Sequence, residues 1–168
     1  MSLTMHSCSI PYFIRSLNNL SAILKKGAEH AAEKEIDPVV FVTARLFPDM
    51  FPLSRQVQIA CDVCKGAATR ISGIEAPSFD DVESSFEQLQ ERIAKTIAFL
   101  ESVPTEAMNG TEQKKVMLQA GTYEIEFTGA TYLSTWALPN LYFHVTTSYN
   151  ILRHNGVSLG KIDYVGQP

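Results

Sequence analysis

The chain has 168 residues and a formal net charge of −4, and 45% of its residues are hydrophobic while 19% are charged. This is the composition of one ordinary globular domain, and it excludes an intrinsically disordered chain. A mildly acidic chain without a basic stripe also lacks the charge that nucleic-acid binding requires.

The sequence shows no signal of a membrane or secreted protein. It has no apolar run of about 18 residues that would span a bilayer, and its N-terminus lacks the basic and apolar regions of a secretory signal. The three cysteines, Cys8, Cys61 and Cys64, are too few for a disulfide framework. We therefore expect one cytoplasmic domain, residues 1–168, with no membrane and no nucleic-acid partner.

The first third of the chain predicts a long helix followed by a short one. Apolar residues recur at helical spacing from about Pro11 to His30, which predicts an amphipathic helix. Asp37 and Pro38 are a typical cap and first residue of a helix, so we expect a short helical turn over Val39 to Leu46. Two prolines then predict a loop from Phe47 to Phe51.

The middle of the chain predicts two further long helices. One starts at Pro52 and ends near Gly73. Its apolar face consists of Leu53, Val57, Ala60, Cys64, Ala67 and Ile71. The next helix is introduced by Asp80 and Glu83, which are spaced like a capping box, and it continues to Val103.

A hairpin and a fourth long helix complete the predicted fold. Residues 114–118 and 123–127 flank a four-residue turn, and the second arm alternates with a period of two, which predicts a β-hairpin. The last helix runs from about Gly129 to Asn155, and Pro139 inside it predicts a kink or a break. Residues 157–168 have little periodicity and are predicted as an extended tail. Four amphipathic helices favour an all-α four-helix bundle, with the hairpin between helices three and four.

The last helix has the most unusual polar face. Asn140, His144 and Thr147 are spaced four and three residues apart, so they line up on one side just after the proline. A polar patch of this kind inside a bundle is a candidate ligand site. The simpler alternative is a buried histidine whose hydrogen bonds are satisfied by a carbonyl or hydroxyl group.

The second long helix offers weaker candidates. Gln58 and Asp62 lie four residues apart, on the side away from Ala60 and Cys64, and a polar helix face is usually solvated. Cys61 and Cys64 form a CxxC pair, but it falls well inside the predicted helix, whereas reactive pairs lie at a helix N-terminus. We interpret the two cysteines as core residues.

Four strings of this sequence resemble a bacterial family that is described as a domain of unknown function. They are RLFPDMFPL at 45–53, QVQIACD at 56–62, FHVTT at 143–147 and LRHNGV at 152–157. The resemblance covers nearly the whole chain, and that family is similar to a branch of the DinB/YfiT-like superfamily. It implies a four-helix bundle that is often a homodimer. Many members of that superfamily are described as metalloenzymes, and some are thiol-dependent transferases that act with low-molecular-weight thiols.

The usual metal site of that superfamily consists of three histidines, one in the second long helix and two, four residues apart, in the last helix. Carried over to this sequence, the last-helix pair falls on Asn140 and His144. The third position falls near Ile59, where Gln58 and Asp62 are the nearest polar residues. Isoleucine has no ligand atom, and an amide is a poor ligand for zinc or nickel. The resemblance therefore implies a site without a favoured metal, in which His144 is the ligand if any ion binds.

Two functions are consistent with these residues. The one we favour is a bundle that binds a small ligand through Asn140, His144 and Thr147, or that serves as a homodimeric scaffold. The alternative is a metal- or thiol-dependent transferase or hydrolase, in which His144 holds zinc or nickel or acts as a general base. The sequence leaves open whether the protein is an enzyme.

Overall fold

Helices make up most of the structure, a computed structural model that describes residues 3–167, without the side chain of Ala120. In chain order the elements are α1 (Ile10–Glu33), α2 (Pro38–Val42), α3 (Leu53–Ser72), α4 (Phe86–Glu101), α5 (Thr105–Met108), β1 (Lys115–Ala120), β2 (Tyr123–Thr128), α6 (Gly129–Thr131), a π-helical segment (Tyr132–Ala137), α7 (Leu138–His154) and α8 (Lys161–Val165). Within residues 3–167, no helix combines the length and the apolar character needed to cross a membrane.

The four long helices pack as a four-helix bundle, which confirms the predicted fold class. Both α1 and α3 contact α4 and α7, so the four helices surround one core. Fully buried side chains come from each of them, for example Phe13, Leu17, Val57, Leu89 and Ile151. Burying one such side chain contributes roughly 1.5–3 kcal/mol, and this shared core is the main source of stability.

The first three helices follow the predicted pattern, and only the end of α2 differs. Asp37 caps α2 as expected, since its carboxylate accepts a hydrogen bond of 2.9 Å from the amide of Val39. The helix ends at Val42 rather than at Leu46. At the end of α3, Gly73 adopts a left-handed conformation with φ of 87°, as expected for a glycine that stops a helix.

The start of α4 differs from the prediction. Ser85 is the cap, and its hydroxyl accepts a hydrogen bond of 3.3 Å from the amide of Gln88. The Glu83 carboxylate instead lies 2.8 Å from the Arg92 guanidinium, which also donates to the carbonyl of Asp80 at 3.2 Å. The predicted capping box is wrong, because the Glu83 carboxylate binds a buried arginine and Ser85 supplies the capping oxygen.

The hairpin is confirmed, but its turn is shorter than predicted. Ala120 pairs with Tyr123, so the loop has two residues instead of four. Gly121 in that loop has φ of 62°, which suits the tight turns that connect antiparallel strands. Strand β1 starts one residue later and ends two residues later than the predicted arm, and β2 is one residue longer. Their antiparallel ladder runs from Lys115 opposite Thr128 to this turn.

The last helix changes from π-helical to α-helical hydrogen bonding at Leu138, next to Pro139, where the sequence predicts a kink or a break. The hydroxyl of Thr128 caps the first turn by accepting a hydrogen bond from the amide of Thr131. The π-helical segment follows, and the amide of Leu138 donates to the carbonyl of Leu133, five residues earlier. Ala137 and Leu138 keep right-handed helical backbone angles, so Pro139 lies within a continuous helix, directly after the π-helical segment.

The predicted extended tail is wrong, because residues 161–165 form α8. The Asp163 carboxylate accepts a hydrogen bond of 2.8 Å from the amide of Gly160 at the start of the helix. It also pairs with Lys26 of α1 at 2.7 Å, and the amide group of Asn19 donates to the carbonyl of Tyr164 at 2.9 Å. A five-residue helix is too short to show periodicity, and these contacts with α1 hold it.

Candidate functional site

His144 lies between α3 and α7 and is bonded across the bundle. Its side chain is buried, and Nδ1 is 2.7 Å from Oε1 of Gln56. Gln56 is also buried and belongs to α3, which packs along α7. The two side chains therefore form one buried polar pair in an otherwise apolar contact between helices.

The partners of Gln56 fix the tautomer of His144. The amide nitrogen of Gln56 donates to the carbonyl of Phe51 at 3.1 Å, so its oxygen faces the imidazole as an acceptor. Nδ1 must then carry the proton, and Nε2 carries the lone pair. Within residues 3–167, the fully buried side-chain atoms without a hydrogen-bond partner belong to Thr69 and Arg92, so Nε2 of His144 retains contact with solvent.

The imidazole is neutral over the whole physiological range. Burial lowers the pKa of His144 to about 4, and the positive charge of Arg55 lowers it further in the same direction. A neutral imidazole with its proton on Nδ1 offers one function to a ligand, the hydrogen-bond acceptor Nε2.

Aromatic side chains flank this pair and face solvent. The ring of Phe143 packs edge-on against the imidazole, with centroids 5.2 Å apart, and it is 56% exposed. Phe51, whose carbonyl binds Gln56, is 55% exposed, and the Arg55 guanidinium lies 6.0 Å from the centre of its ring. The site thus has a polar base and an apolar rim.

The other two predicted residues of the α7 patch bond to their own helix. The amide nitrogen of Asn140 donates to the carbonyl of Trp136 at 2.7 Å, within the π-helical segment. The hydroxyl of Thr147 donates to the carbonyl of Phe143, also at 2.7 Å. Asn140 and Thr147 share a face with His144, as predicted, but His144 is the member of the patch that reaches α3.

Gln58 and Asp62 lie in a separate cluster, which has a buried arginine at its centre. Gln58 is buried rather than solvated, and its amide donates to Glu83 at 2.9 Å. Asp62 is half-buried and pairs with Arg92 at 2.9 Å and with Lys65 at 3.2 Å. The simple interpretation of a solvated polar face is therefore wrong for Gln58.

This Arg92 cluster anchors the connection between α3 and α4. The Arg92 side chain is 1% exposed and pairs with Asp62, Asp81 and Glu83 at 2.8–2.9 Å. Burial alone would raise the pKa of Glu83, but hydrogen bonds from Arg92 outweigh it and hold the pKa below the usual range. Arg55 also pairs with Asp81, so the cluster extends to the residue that lies beside His144.

The cysteines are core residues, as predicted. Cys61 and Cys64 are fully buried, and burial raises the pKa of Cys61 to about 12. Burial also raises the pKa of Cys64 well above its usual value. Both thiols stay protonated at neutral pH, and a protonated thiol is a poor nucleophile and a poor metal ligand.

Gln56 is the residue that the sequence interpretation missed. It lies three residues before Ile59, on the buried stripe that Leu53 and Ala60 also occupy. The available signal for Gln56 was that a polar residue occupies a position on an otherwise apolar stripe. The position that faces His144 on α3 therefore holds Gln56, and neither Gln58 nor Asp62.

These residues fit a metal ion poorly. No group of three or more His, Cys, Asp or Glu residues within 3–167 is arranged to hold one. Besides His144, the other groups that could act as metal ligands are the amides of Gln56 and Asn140, and both are engaged in hydrogen bonds. Neutral amides are weak ligands for zinc and nickel, so no metal step follows from this geometry.

Comparisons with known proteins place this fold in a known group. The model of the family DUF1993, a domain of unknown function, matches residues 5–165. The crystal structure of a DinB family member protein from Shewanella denitrificans is similar, with a TM-score of 0.89 and 37% sequence identity. That match covers 97% of this chain and 92% of the other. No curated protein matches the sequence.

Proposed function

The chain belongs to the DUF1993 family and has a DinB-like four-helix bundle, and on that premise we propose that it binds a small organic ligand without a metal ion. The ligand donates a hydrogen bond to Nε2 of His144 and packs its apolar part against Phe51 and Phe143. Hydroxyl, amide and thiol groups are donors of the required kind.

The hydrogen bond between His144 and Gln56 carries this proposal. It fixes a neutral imidazole in one tautomer and leaves Nε2 as an acceptor at the edge of the site. A preorganised acceptor loses little conformational entropy when a ligand binds. Asn140 and Thr147 lie on the same face of α7, and each donates to a backbone carbonyl of its own helix.

A metal-dependent transferase or hydrolase is the less favoured alternative. It would need Gln56 and Asn140 to give up their hydrogen bonds and act as amide ligands beside one imidazole. General-base catalysis by His144 alone is also less favoured. An imidazole with a pKa of about 4 is a weak base, whereas general bases work best with a pKa near the operating pH.

We further propose that the protein is a homodimer, as the family resemblance implies. Three phenylalanines that are more than half exposed support an interface beside the site: Phe47 at 64%, Phe51 at 55% and Phe143 at 56%. Large exposed apolar side chains are typical of association surfaces. A second copy on this surface would also enclose the ligand.

Ligand binding is tested with a panel of small alcohols, amides and low-molecular-weight thiols such as cysteine and glutathione. We expect at least one member to shift the NMR amide signals of Phe51, Gln56 and Phe143 in the wild type and not in His144→Ala. His154→Ala, an exposed histidine of the same helix, is the matched control. Unchanged signals with the whole panel would contradict the proposal and leave the scaffold function.

Metal content is tested by elemental analysis of tag-free protein after incubation with zinc, nickel, manganese or iron. We expect no metal above background. A stoichiometric metal that is lost in His144→Ala would favour the metal-dependent alternative instead.

Association is tested by light scattering. We expect a mass near twice 18.6 kDa, and a mass near 18.6 kDa for Phe47→Ser combined with Phe143→Ser. Val82→Ser, which changes a side chain that is 74% exposed in the α3–α4 connection, is the control. A wild-type mass of one chain would refute the dimer.

A further inference from the structure

A cavity of about 400 Å³ lies between α1, α7 and α8. Its walls include Tyr12, Arg15, Tyr142, Val145, Tyr164 and Val165. Tyr142 precedes His144 by two residues, which corresponds to about 200° around a helix. The tyrosine-lined cavity is therefore distinct from the site at His144.

Three tyrosine hydroxyls of this cavity have no hydrogen-bond partner within residues 3–167. They belong to Tyr12, Tyr142 and Tyr164, whose rings together form much of the wall. Burial raises the pKa of Tyr142, and the neighbouring phenols of Tyr164 and Tyr12 raise it further. The Tyr142 hydroxyl therefore remains a protonated donor at neutral pH.

The guanidinium of Arg15 adds a positive charge to the rim. Nε and Nη2 donate to the carbonyl of Val165 at 3.3 and 3.1 Å, and Nη2 donates to the carbonyl of Gln167 at 3.1 Å. Within residues 3–167, no carboxylate lies within ion-pair distance of Arg15, and Nη1 has no hydrogen-bond partner. Two N–H groups of a charged guanidinium thus remain for a ligand.

We propose that this tyrosine-lined cavity binds a small aromatic carboxylate. The carboxylate accepts hydrogen bonds from Nη1 of Arg15 and from the tyrosine hydroxyls, because a guanidinium and phenols are strong donors to this group. The aromatic body packs among the tyrosine rings and against Val145 and Val165. A volume of about 400 Å³ is within the range of small-molecule sites and leaves room for one substituted ring.

Benzoate is the probe, with benzyl alcohol as its neutral counterpart and acetate as an anion without a ring. Titration calorimetry is combined with amide NMR spectra of the whole chain. We expect benzoate to bind and to shift signals of residues 12–19, 142–145 and 164–165 rather than those of residues 51–56. Benzyl alcohol and acetate bind at least tenfold more weakly, because each lacks one half of the recognised structure.

Tyr142→Phe tests the donors without changing the packing of the cavity. Loss of a hydrogen bond to a charged group weakens benzoate binding by roughly 10-fold or more, while the melting temperature stays at the wild-type value because this hydroxyl has no protein partner within residues 3–167. Tyr123→Phe, on the exposed hairpin, is the matched control and binds benzoate like the wild type.

Three results would overturn the inference. They are no binding of benzoate at millimolar concentration, equal binding of benzoate and benzyl alcohol, and unchanged affinity in Tyr142→Phe. In each case Arg15 and the tyrosines serve only to hold the C-terminal segment against α1. This test is independent of the site at His144, because the signals that shift belong to a different set of residues.

Discussion

Replacing Arg92 by methionine should destabilise the protein more than any exposed substitution on the same helix. Methionine fills most of the buried volume but removes the charge that pairs with three carboxylates. Asp62 retains Lys65 and Asp81 retains Arg55, so these two acids keep a cation. The Glu83 side chain, only 10% exposed, retains the amide of Gln58 and loses its cation.

The expected loss is about 3 kcal/mol. Removing one partner of a buried ion pair typically costs 3–5 kcal/mol, and the lower end applies because Asp62 and Asp81 are about 40% exposed. For a chain of this length, a loss of about 3 kcal/mol corresponds to a decrease in melting temperature of roughly 6–12 °C. Urea unfolding followed by circular dichroism measures the loss of free energy of unfolding, and a thermal scan measures the decrease in melting temperature.

The control is Lys95→Met, which removes an exposed lysine one turn further along α4. That lysine is 63% exposed and lies 3.8 Å from Glu91, so its loss costs at most a few tenths of a kcal/mol. Equal stability of Arg92→Met and Lys95→Met would refute the conclusion that the Arg92 cluster anchors the connection between α3 and α4.

Three further perturbations test other parts of the structure. As pH falls from about 6.5 to 4, the free energy of unfolding should decrease by about 3 kcal/mol through His144 alone, since the unfolded chain takes up a proton that the folded protein binds only near pH 4. Urea unfolding of His144→Gln should lack this decrease. Identical pH profiles for the wild type and His144→Gln would contradict the prediction. Gln56→His combined with Asn140→His adds two imidazoles to that of His144, and elemental analysis should then find one zinc or nickel ion per chain. No gain of metal would mean that positions 56, 140 and 144 do not converge on one ion. Gly129→Ala should lower the free energy of unfolding by about 2 kcal/mol or more, because its new Cβ meets the backbone carbonyl oxygen of Thr111 at less than van der Waals distance. An unchanged melting temperature in a thermal scan would contradict this prediction.

The helices were predictable because their apolar residues repeat over many turns. The stripe of α3 from Leu53 to Ile71 is buried throughout, and α1 is found over nearly the predicted range. Periodicity is a strong signal when an element is long enough to repeat it. An irregularity of the helix at Pro139 was equally predictable, since proline lacks the N–H and its ring crowds the preceding turn, and a π-helical segment lies there.

Features that depend on distant partners were not predictable from spacing. Asp80 and Glu83 have the spacing of a capping box, but Arg92 binds both. The C-terminal helix α8 is held by contacts with α1, more than a hundred residues earlier in the chain. Local sequence contains no information on such contacts, and they decide the structure of short segments.

The candidate site likewise contains one residue that could be predicted from spacing and one that could not. His144 and its helical face were identified from the spacing of polar residues on α7. Its partner Gln56 is 88 positions away in the sequence, and Gln58 was the nearer choice to the expected position. Only the packing of α3 on α7 decides which of the two glutamines faces the imidazole.

The central claim is that His144 is neutral, with its proton on Nδ1 and its lone pair on Nε2. NMR of the protein labelled with ¹⁵N-histidine measures both the tautomer and the pKa, and His144→Ala assigns the signals. We expect one protonated and one unprotonated ring nitrogen, with the proton on Nδ1, unchanged from pH 8 to pH 5. A His144 ring that titrates near pH 6.5, or that carries its proton on Nε2, would contradict the hydrogen bond to Gln56 and the function proposed from it.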